Sequence, residues 1–177
     1  MKKRIVTYFI VGGAAVLGAS PHLHDFLRKW EGVEYVAYAD KLAGGVPTVC
    51  AGITNAVNPP RKVVVGERWT GEECKVAEEK IILEIQTQLA KCITHPVPQS
   101  TFDALTSHAW NLGWPRTCKS QSVKLINQGK IKEGCNLLSN KPDGRPNWSY
   151  SSGSFIQGLF NRRLSERELC LKDLSTD

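Results

Sequence analysis

A helix end and a β-hairpin are predicted within residues 30–54, which read W-E-G-V-E-Y-V-A-Y-A-D-K-L-A-G-G-V-P-T-V-C-A-G-I-T. Glu31 stands nine positions before Asp40, and Asp40 stands eight positions before Thr48. A glycine pair separates the last two, and the flanking segments are short and rich in β-branched and aromatic residues, which predicts two strands joined by a turn. Two carboxylates and a hydroxyl in one short segment are the groups needed for acid-assisted hydrolysis of a glycosidic bond.

The residues just before this segment predict an amphipathic helix that ends at Glu31. Ser20 and Pro21 suit the N-cap and the first helical position, and Gly32 suits the C-terminal stop. Apolar side chains recur at helical spacing and predict one buried face: Leu23, Phe26, Leu27 and Trp30. The negative end of the helix dipole and the apolar Trp30 disfavour ionisation of a carboxyl in the last turn, although the basic side chains of that turn act in the opposite direction. A general acid requires such a protonated carboxyl.

After the hairpin region the chain is expected to be mostly helical. The clearest helix is predicted for residues 70–93, with Thr70 and Glu73 spaced as a capping box. Its length suits a strut between the hairpin region and the remainder of the chain. Further helices are predicted for residues 99–113, 120–127, 130–138 and 156–171. Residues 55–67 and 141–154 are expected to be irregular and exposed.

Length and charge restrict the class of protein. A chain of 177 residues with 41% hydrophobic content is enough for one compact domain, which can still divide into lobes. The net charge of +6 favours an anionic partner, which can be nucleic acid, a membrane surface or an anionic wall polymer. The positive charges are scattered, and there is no zinc-type Cys/His spacing, phosphate loop or dinucleotide fingerprint. We therefore expect no nucleic-acid partner, no metal and no cofactor.

The cysteines indicate an oxidising compartment and disulfides. They form an even set of six without a C-x-x-C pair: Cys50, Cys74, Cys92, Cys118, Cys135 and Cys170. If Cys74 and Cys92 lie on one continuous helix, eighteen steps of ~1.5 Å place them ~27 Å apart. A disulfide spans at most ~7 Å between Cα atoms. These two cysteines must therefore pair elsewhere or stay free, and the remaining pairings stay open.

The N-terminus has the pattern of an export signal or membrane segment. Residues 2–4 are basic, and residues 5–20 are largely apolar. Pro21 should hinder cleavage after Ser20, so we expect the segment to be retained; a cleaved signal peptide and a permanent anchor are the alternatives. A helix of sixteen residues measures ~24 Å, which is short of the ~30 Å hydrocarbon core. Insertion is then only marginally favourable, and the segment can also leave the membrane.

Three segments of the chain carry a family resemblance. They are E-x8-D followed by T-V-C-A-G-I-T, then Q-S-T-F-D-A-L-T-S-H-A-W-N-L-G, and finally G-L-F-N-R-R-L-S-E-R-E-L-C-L. Together they resemble the phage-type lysozymes, or endolysins, of glycoside hydrolase family 24. The resemblance implies an α+β, lysozyme-like, two-lobed fold, in which a small β-hairpin lobe and a larger helical lobe are joined by the long helix and enclose a cleft. Residues 21–177 would form this catalytic domain, and residues 1–20 resemble an N-terminal signal-arrest-release membrane segment.

The resemblance also implies roles for individual residues. Glu31 would be the general acid, Asp40 the second carboxylate, and Thr48 a residue that helps to place the water or the substrate. Family members commonly have five residues between the aspartate and the threonine, whereas seven lie between Asp40 and Thr48, which predicts a bulged turn. One arginine of the pair Arg162 and Arg163 is implied to face Glu31.

The implied activity is that of a muramidase, which hydrolyses the β-1,4 bond between N-acetylmuramic acid and N-acetylglucosamine in peptidoglycan and so lyses the host cell. Glu34 is a rival to Asp40 as the second carboxylate, and the sequence leaves inverting and retaining stereochemistry open. Two alternatives are a non-catalytic peptidoglycan-binding or membrane-tethered protein on a decayed lysozyme scaffold and a lytic transglycosylase, which would need no catalytic aspartate.

The resemblance places the protein first in the host inner membrane and then in the periplasm. A signal-arrest-release segment tethers the enzyme in an inactive state and frees it when the membrane is depolarised. No cysteine precedes Cys50, which favours activation by refolding over thiol exchange. We expect a monomer whose partners are peptidoglycan glycan strands and, before release, the inner membrane.

Overall fold

The structure is a computed structural model that describes residues 20–41 and 44–174. The predicted membrane segment, apart from Ser20, lies outside the described residues. The chain divides into two compact units, one ending at Glu84 and one beginning at Ile85. We call them the sheet unit and the helical unit. In the part of the chain that the structure describes, no helix has the length and apolarity needed to cross a membrane.

The first helix of the sheet unit, α1 (Pro21–Glu31), begins and ends as predicted. Ser20 is the N-cap, and its Oγ accepts a hydrogen bond of 3.0 Å from the backbone N–H of Leu23. Gly32 ends the helix with φ 69°, and its N–H donates to the carbonyl oxygen of Arg28. Two of the four predicted inward side chains are buried and two are partly buried: Leu23 and Leu27, then Phe26 and Trp30. Glu31 is therefore the last residue of a capped helix.

Three antiparallel strands follow, in the order β1 (Glu34–Asp40), β2 (Val46–Cys50) and β3 (Ile53–Thr54). Tyr38 lies opposite Thr48 and Asp40 opposite Val46, whereas the register shifts between Glu34 and Tyr38. The structure therefore shows an irregularity inside β1, where the sequence had suggested only a bulged turn. Residues 42 and 43 of that turn lie outside the described residues.

The segment predicted to be irregular and exposed between residues 55 and 67 is only partly so. It starts with a short 3₁₀ helix, Asn55–Val57. Val63 is buried, and its backbone N–H and carbonyl both bind the side chain of Asn55, at 2.8 and 2.9 Å. The carbonyl of Glu67 accepts from the N–H of Ala37 in β1. The prediction of an exposed segment holds for most of these residues and fails at Val63, because this segment covers the free edge of β1.

The long helix α2 (Gly71–Cys92) confirms the predicted strut, and its N-terminus has the predicted capping box. Glu73 accepts from the N–H of Thr70 at 2.7 Å, and the Thr70 hydroxyl accepts from the N–H of Glu73 at 3.1 Å. The hydrogen bonds that the Glu73 carboxylate accepts from the N–H and the hydroxyl of Thr70 lower the pKa of Glu73 below its ordinary value. The division between the two units falls within α2.

The helical unit continues with five helices and one small hairpin. They are α3 (Gln99–Leu112), α4 (Trp114–Cys118), α5 (Gln121–Asn127), α6 (Ile131–Asn136), β4 (Tyr150–Ser151), β5 (Ser154–Phe155) and α7 (Gln157–Leu171). Residues 100–109 of α3 are all buried, which makes α3 the centre of the unit. The predicted surface loop over residues 141–154 was wrong at its end, because β4 and β5 pair there. The short helix α4 was not predicted.

All six cysteines form disulfides, which pair Cys50 with Cys74, Cys92 with Cys118 and Cys135 with Cys170. Both Cys74 and Cys92 lie on α2 and pair with cysteines elsewhere in the chain, as the length of a helix requires. The first bridge lies within the sheet unit, and the other two lie within the helical unit. Each therefore reinforces one unit.

Candidate active site

Glu31 is positioned by the end of α1 and by the turn between β2 and β3. Gly52 in that turn has φ 82°, and a Cβ added there would lie 3.8 Å from Oε2 of Glu31. The carboxylate therefore faces this turn, and a side chain at position 52 would touch it. It is partly buried, so it is positioned by protein contacts and still reaches solvent.

Asp40 and Thr48 lie on one face of the β1–β2 hairpin. Side chains alternate between the faces of a strand, and residues directly opposite each other share a face. Because Asp40 is opposite Val46 and Tyr38 is opposite Thr48, all four side chains belong to the same face. Asp40 is partly exposed, whereas Thr48 is buried. The hairpin thus brings together the two residues that the sequence singled out on it.

The hydroxyl of Thr48 is engaged within its own strand. Its Oγ1 donates to the backbone carbonyl of Val46 at 3.0 Å. A hydroxyl that donates its one proton keeps lone pairs that can accept. The proton of the Thr48 hydroxyl is therefore engaged, and its oxygen keeps the capacity to accept a hydrogen bond.

Tyr38 lies within the electrostatic influence of both candidate carboxylates. Burial raises the pKa of Tyr38, and the negative charges of Asp40, Glu34 and Glu31 raise it further, in that order. Glu31 and Asp40 therefore both lie close enough to act on one phenol. The sequence reading missed Tyr38, although strand alternation was a usable signal, because Tyr38 stands two positions before Asp40.

In the part of the chain that the structure describes, the chemical groups of this site do not form a metal-binding cluster. Among residues 20–41 and 44–174, no group of three or more His, Cys, Asp and Glu side chains could hold a metal ion. The site consists of carboxylates, a phenol and a hydroxyl on a small sheet and an adjoining helix end. These groups are suited to proton transfer and to stabilising positive charge.

The predicted arginine pair belongs to a buried ionic cluster in the helical unit. Oε1 of Glu166 accepts hydrogen bonds from Ser107 Oγ at 2.8 Å, from Arg162 Nε at 3.1 Å and from Arg163 Nη2 at 3.0 Å. Burial raises the pKa of Glu166, and the charges of the two arginines oppose that rise. Both arginines contact Glu166, and the implied pairing of one of them with Glu31 stays a prediction.

His108 lies in the same region of the helical unit and is fully buried. Burial lowers its pKa well below 6.5, and the charges of Arg163 and Arg162 lower it further. Its Nδ1 is 2.9 Å from the hydroxyl of Thr117, and its ring meets Trp148 edge-on at 5.3 Å. His108 is therefore a neutral imidazole built into the core, and a sequence motif alone could not place it beside the arginines.

Comparison with known proteins identifies the family. The sequence model of the family described as Phage lysozyme matches residues 28–166. The SAR-endolysin of Enterobacteria phage PA-2 is 34% identical over 173 residues, which cover 96% of this chain and 94% of the relative. The chain belongs to the phage lysozyme family, and the resemblance expected from its sequence is confirmed.

Solved structures agree with the lysozyme-like fold. The active form of the endolysin Lyz from phage P1 is 26% identical, with a TM-score of 0.71 over 90% of this chain and 88% of that one. An endolysin from Escherichia coli O157:H7 phage FAHEc1 is 25% identical, with a TM-score of 0.69 over 89% of this chain and 96% of that one. The predicted α+β fold class is therefore confirmed.

Proposed function

We propose that this protein is an endolysin that hydrolyses the β-1,4 bond between N-acetylmuramic acid and N-acetylglucosamine in peptidoglycan. Membership of the phage lysozyme family and the SAR-endolysin relatives support lytic action on peptidoglycan. The observation that carries the choice of residues is the geometry of the sheet unit, in which Glu31 ends α1 and faces the β2–β3 turn, and Asp40 shares one hairpin face with Thr48.

In the proposed reaction Glu31 donates its proton to the glycosidic oxygen as the bond from that oxygen to the anomeric carbon breaks. Asp40 stabilises the positive charge that develops on the sugar ring, or it orients the water whose oxygen bonds to the anomeric carbon. The hydroxyl oxygen of Thr48 accepts a hydrogen bond from that water or from the substrate. One sugar product leaves with a new reducing end, and the water proton finally restores the acid.

The first test is the loss of turbidity of bacteria whose outer membrane has been permeabilised. Wild-type protein should clear the suspension, and Glu31→Gln should abolish clearing, since an amide cannot donate the proton. Asp40→Asn should also lower the rate strongly. A wild-type protein without activity would instead favour a wall-binding protein on a decayed lysozyme scaffold.

Glu34 provides the matched control for Asp40. Both side chains lie on β1 and both act on Tyr38, but Glu34 is the more exposed of the two and lies beyond the register shift. Glu34→Gln should therefore retain most of the clearing rate that Asp40→Asn loses. The reverse result would transfer the role of second carboxylate to Glu34.

The bond and the type of reaction are tested by mass spectrometry of the muropeptides. Hydrolysis adds water and gives reducing N-acetylmuramic acid ends. A lytic transglycosylase instead leaves anhydro ends, so finding anhydro ends would reject the proposal.

We further propose that residues 1–20 hold the enzyme in the host inner membrane before release to the periplasm, where it acts as a monomer. The basic and apolar N-terminal pattern and the SAR-endolysin relatives support this proposal. Cell fractionation before and after an uncoupler tests it, because the full-length chain should move from the membrane to the soluble fraction. A chain that stays in the membrane, or that is already shortened at its N-terminus, would contradict it.

A further inference from the structure

A buried carboxylate of α2 contacts α1 inside the sheet unit. The side chain of Glu78 is only 3% exposed, and its Oε2 accepts from Arg28 Nε at 3.2 Å and lies 3.1 Å from Arg28 Nη2. Two of the three nitrogens of the planar guanidinium thus contact one oxygen. Hydrogen bonds between charged groups are the strong and directional ones.

His24 adds a second contact from the same helix. Its Nδ1 lies 3.6 Å from Oε2 of Glu78, and its Nε2 lies 3.7 Å from Oε1 of Glu79. The two α1 residues are four positions apart, so they lie on one face of the helix, one turn from each other. Glu78 therefore contacts α1 at two successive turns, and the arginine contact is charged at neutral pH.

We propose that Glu78 is a positioning residue that fixes the rotation and axial position of α1, and thereby the carboxyl group of Glu31. Arg28 stands three residues before Glu31, within one turn of the helix end. This inference rests on the proposed role of Glu31 as the general acid.

The ionic contact of α1 is directional, whereas its apolar contacts are not. Within α1 the fully buried side chains are Leu23 and Leu27, and hydrophobic contacts are not directional. A planar guanidinium on a buried carboxylate defines both distance and orientation. Burying a charge is also unfavourable unless it is paired, so this carboxylate stabilises α1 specifically in the position in which Arg28 reaches it.

The position of α1 matters most at its last residue, Glu31, which is the proposed proton donor. Glu31 is the last residue of α1 and its Oε2 faces the turn at Gly52, so a displacement of α1 changes where the proton is presented. A misplacement of about 1 Å can lower an enzymatic rate by about 10²-fold.

The test compares Glu78→Met with Glu84→Met. Methionine is an unbranched side chain of similar length without the charge, and Arg28 is partly exposed and can be hydrated, so the fold should persist. Glu84 is an exposed residue of the same helix and serves as the control. Three quantities are measured on purified sacculi and on the free protein: the rate at saturating substrate, the half-saturating amount of substrate, and hydrogen exchange of the α1 amides.

Glu78→Met should lower the saturating rate by roughly tenfold, with little change in the half-saturating amount of substrate. Exchange of the α1 amides should become faster, while Glu84→Met should resemble the wild type in all three quantities. Arg28→Lys, which keeps the charge but loses the planar contact, should lie between wild type and Arg28→Gln.

Wild-type rate and wild-type α1 exchange in Glu78→Met would overturn the inference. So would a lower melting temperature with an unchanged rate per folded molecule, because Glu78 would then act on stability alone. If Glu31→Gln remained active, the proposed function would fail, whereas the exchange measurement would still report whether Glu78 holds α1. The two failures can therefore be told apart.

Discussion

The candidate carboxylates of the sheet unit and the ionic cluster of the helical unit differ in their burial. In the sheet unit, Glu31 and Asp40 stand at the ends of α1 and β1 and remain partly exposed. In the helical unit, Glu166 is fully buried against Arg162 and Arg163. Groups that exchange protons with substrate and water must reach both, whereas a buried ionic cluster is held by its own partners. The difference separates the residues proposed for chemistry from those that maintain the fold.

The largest expected difference in stability is between Glu166 and an exposed acid of the sheet unit. Glu166→Gln removes the charge that faces two buried guanidinium groups, and breaking such a buried pair lowers the free energy of unfolding by about 3–5 kcal/mol. Glu67 pairs with Arg61 at 2.9 Å, but both side chains are well exposed. Glu67→Gln should therefore change the free energy of unfolding by less than about 1 kcal/mol.

Urea denaturation of both variants and the wild type measures this contrast. Equal decreases in the free energy of unfolding from Glu166→Gln and Glu67→Gln would show that burial does not determine how much these two ionic contacts stabilise the fold. Circular dichroism in the absence of urea provides the control that each variant is folded at the start.

A smaller effect is expected from His108 when the pH falls. The pKa of His108 is lowered in the folded state, so below about pH 6.5 the unfolded chain binds a proton that the folded chain does not. The free energy of unfolding should therefore decrease as the pH falls below that value, with a slope from this histidine that approaches about 1.4 kcal/mol for each pH unit. Its neighbours Arg162 and Arg163 are positive throughout this range and oppose protonation.

Thermal or urea unfolding between pH 7.5 and 5.5 compares the wild type with His108→Gln. The variant should show a shallower dependence on pH, whatever its stability at neutral pH. Parallel curves would mean that other groups cause the dependence.

The smallest effect is expected at the N-terminus of α2. Thr70→Ala removes the side-chain half of an exposed capping box and should lower the free energy of unfolding by about 1 kcal/mol. Ser20→Ala offers the equivalent change at the N-cap of α1. If Thr70→Ala lowered the free energy of unfolding as much as Glu166→Gln does, exposed and buried polar contacts would contribute equally to stability.

Local sequence signals predicted the parts of the fold that depend on neighbouring residues. The Ser20 cap, the Gly32 stop and the capping box of Thr70 and Glu73 all lie where the sequence indicated. The exclusion of a bridge between two cysteines of one helix followed from helix geometry alone. Such signals act over three or four residues, or over one element.

The features that were missed depend on contacts between distant parts of the chain. Helix α4 has five residues, too few to show a period, and the β4–β5 hairpin consists of two-residue strands. Val63 becomes buried because its segment covers β1, which its composition does not show.

Only part of the candidate site could be predicted, because the rest also depends on contacts between distant parts of the chain. Glu31 and Asp40 could be named from their spacing and from the family pattern, and strand alternation could have added Tyr38. The cluster of Glu166 with Ser107 joins residues 59 positions apart, and the Glu78 contact joins α1 to α2 across 50 positions. Spacing along the chain contains no signal for either contact.

The central claim is that Glu31 supplies the proton and does not maintain the fold. The most direct measurement is the initial rate at which Glu31→Gln and the wild type release reducing ends from purified peptidoglycan, with the free energy of unfolding measured on the same samples. We predict a rate at least about 10²-fold below wild type together with an unchanged free energy of unfolding. A rate close to that of the wild type would contradict the account.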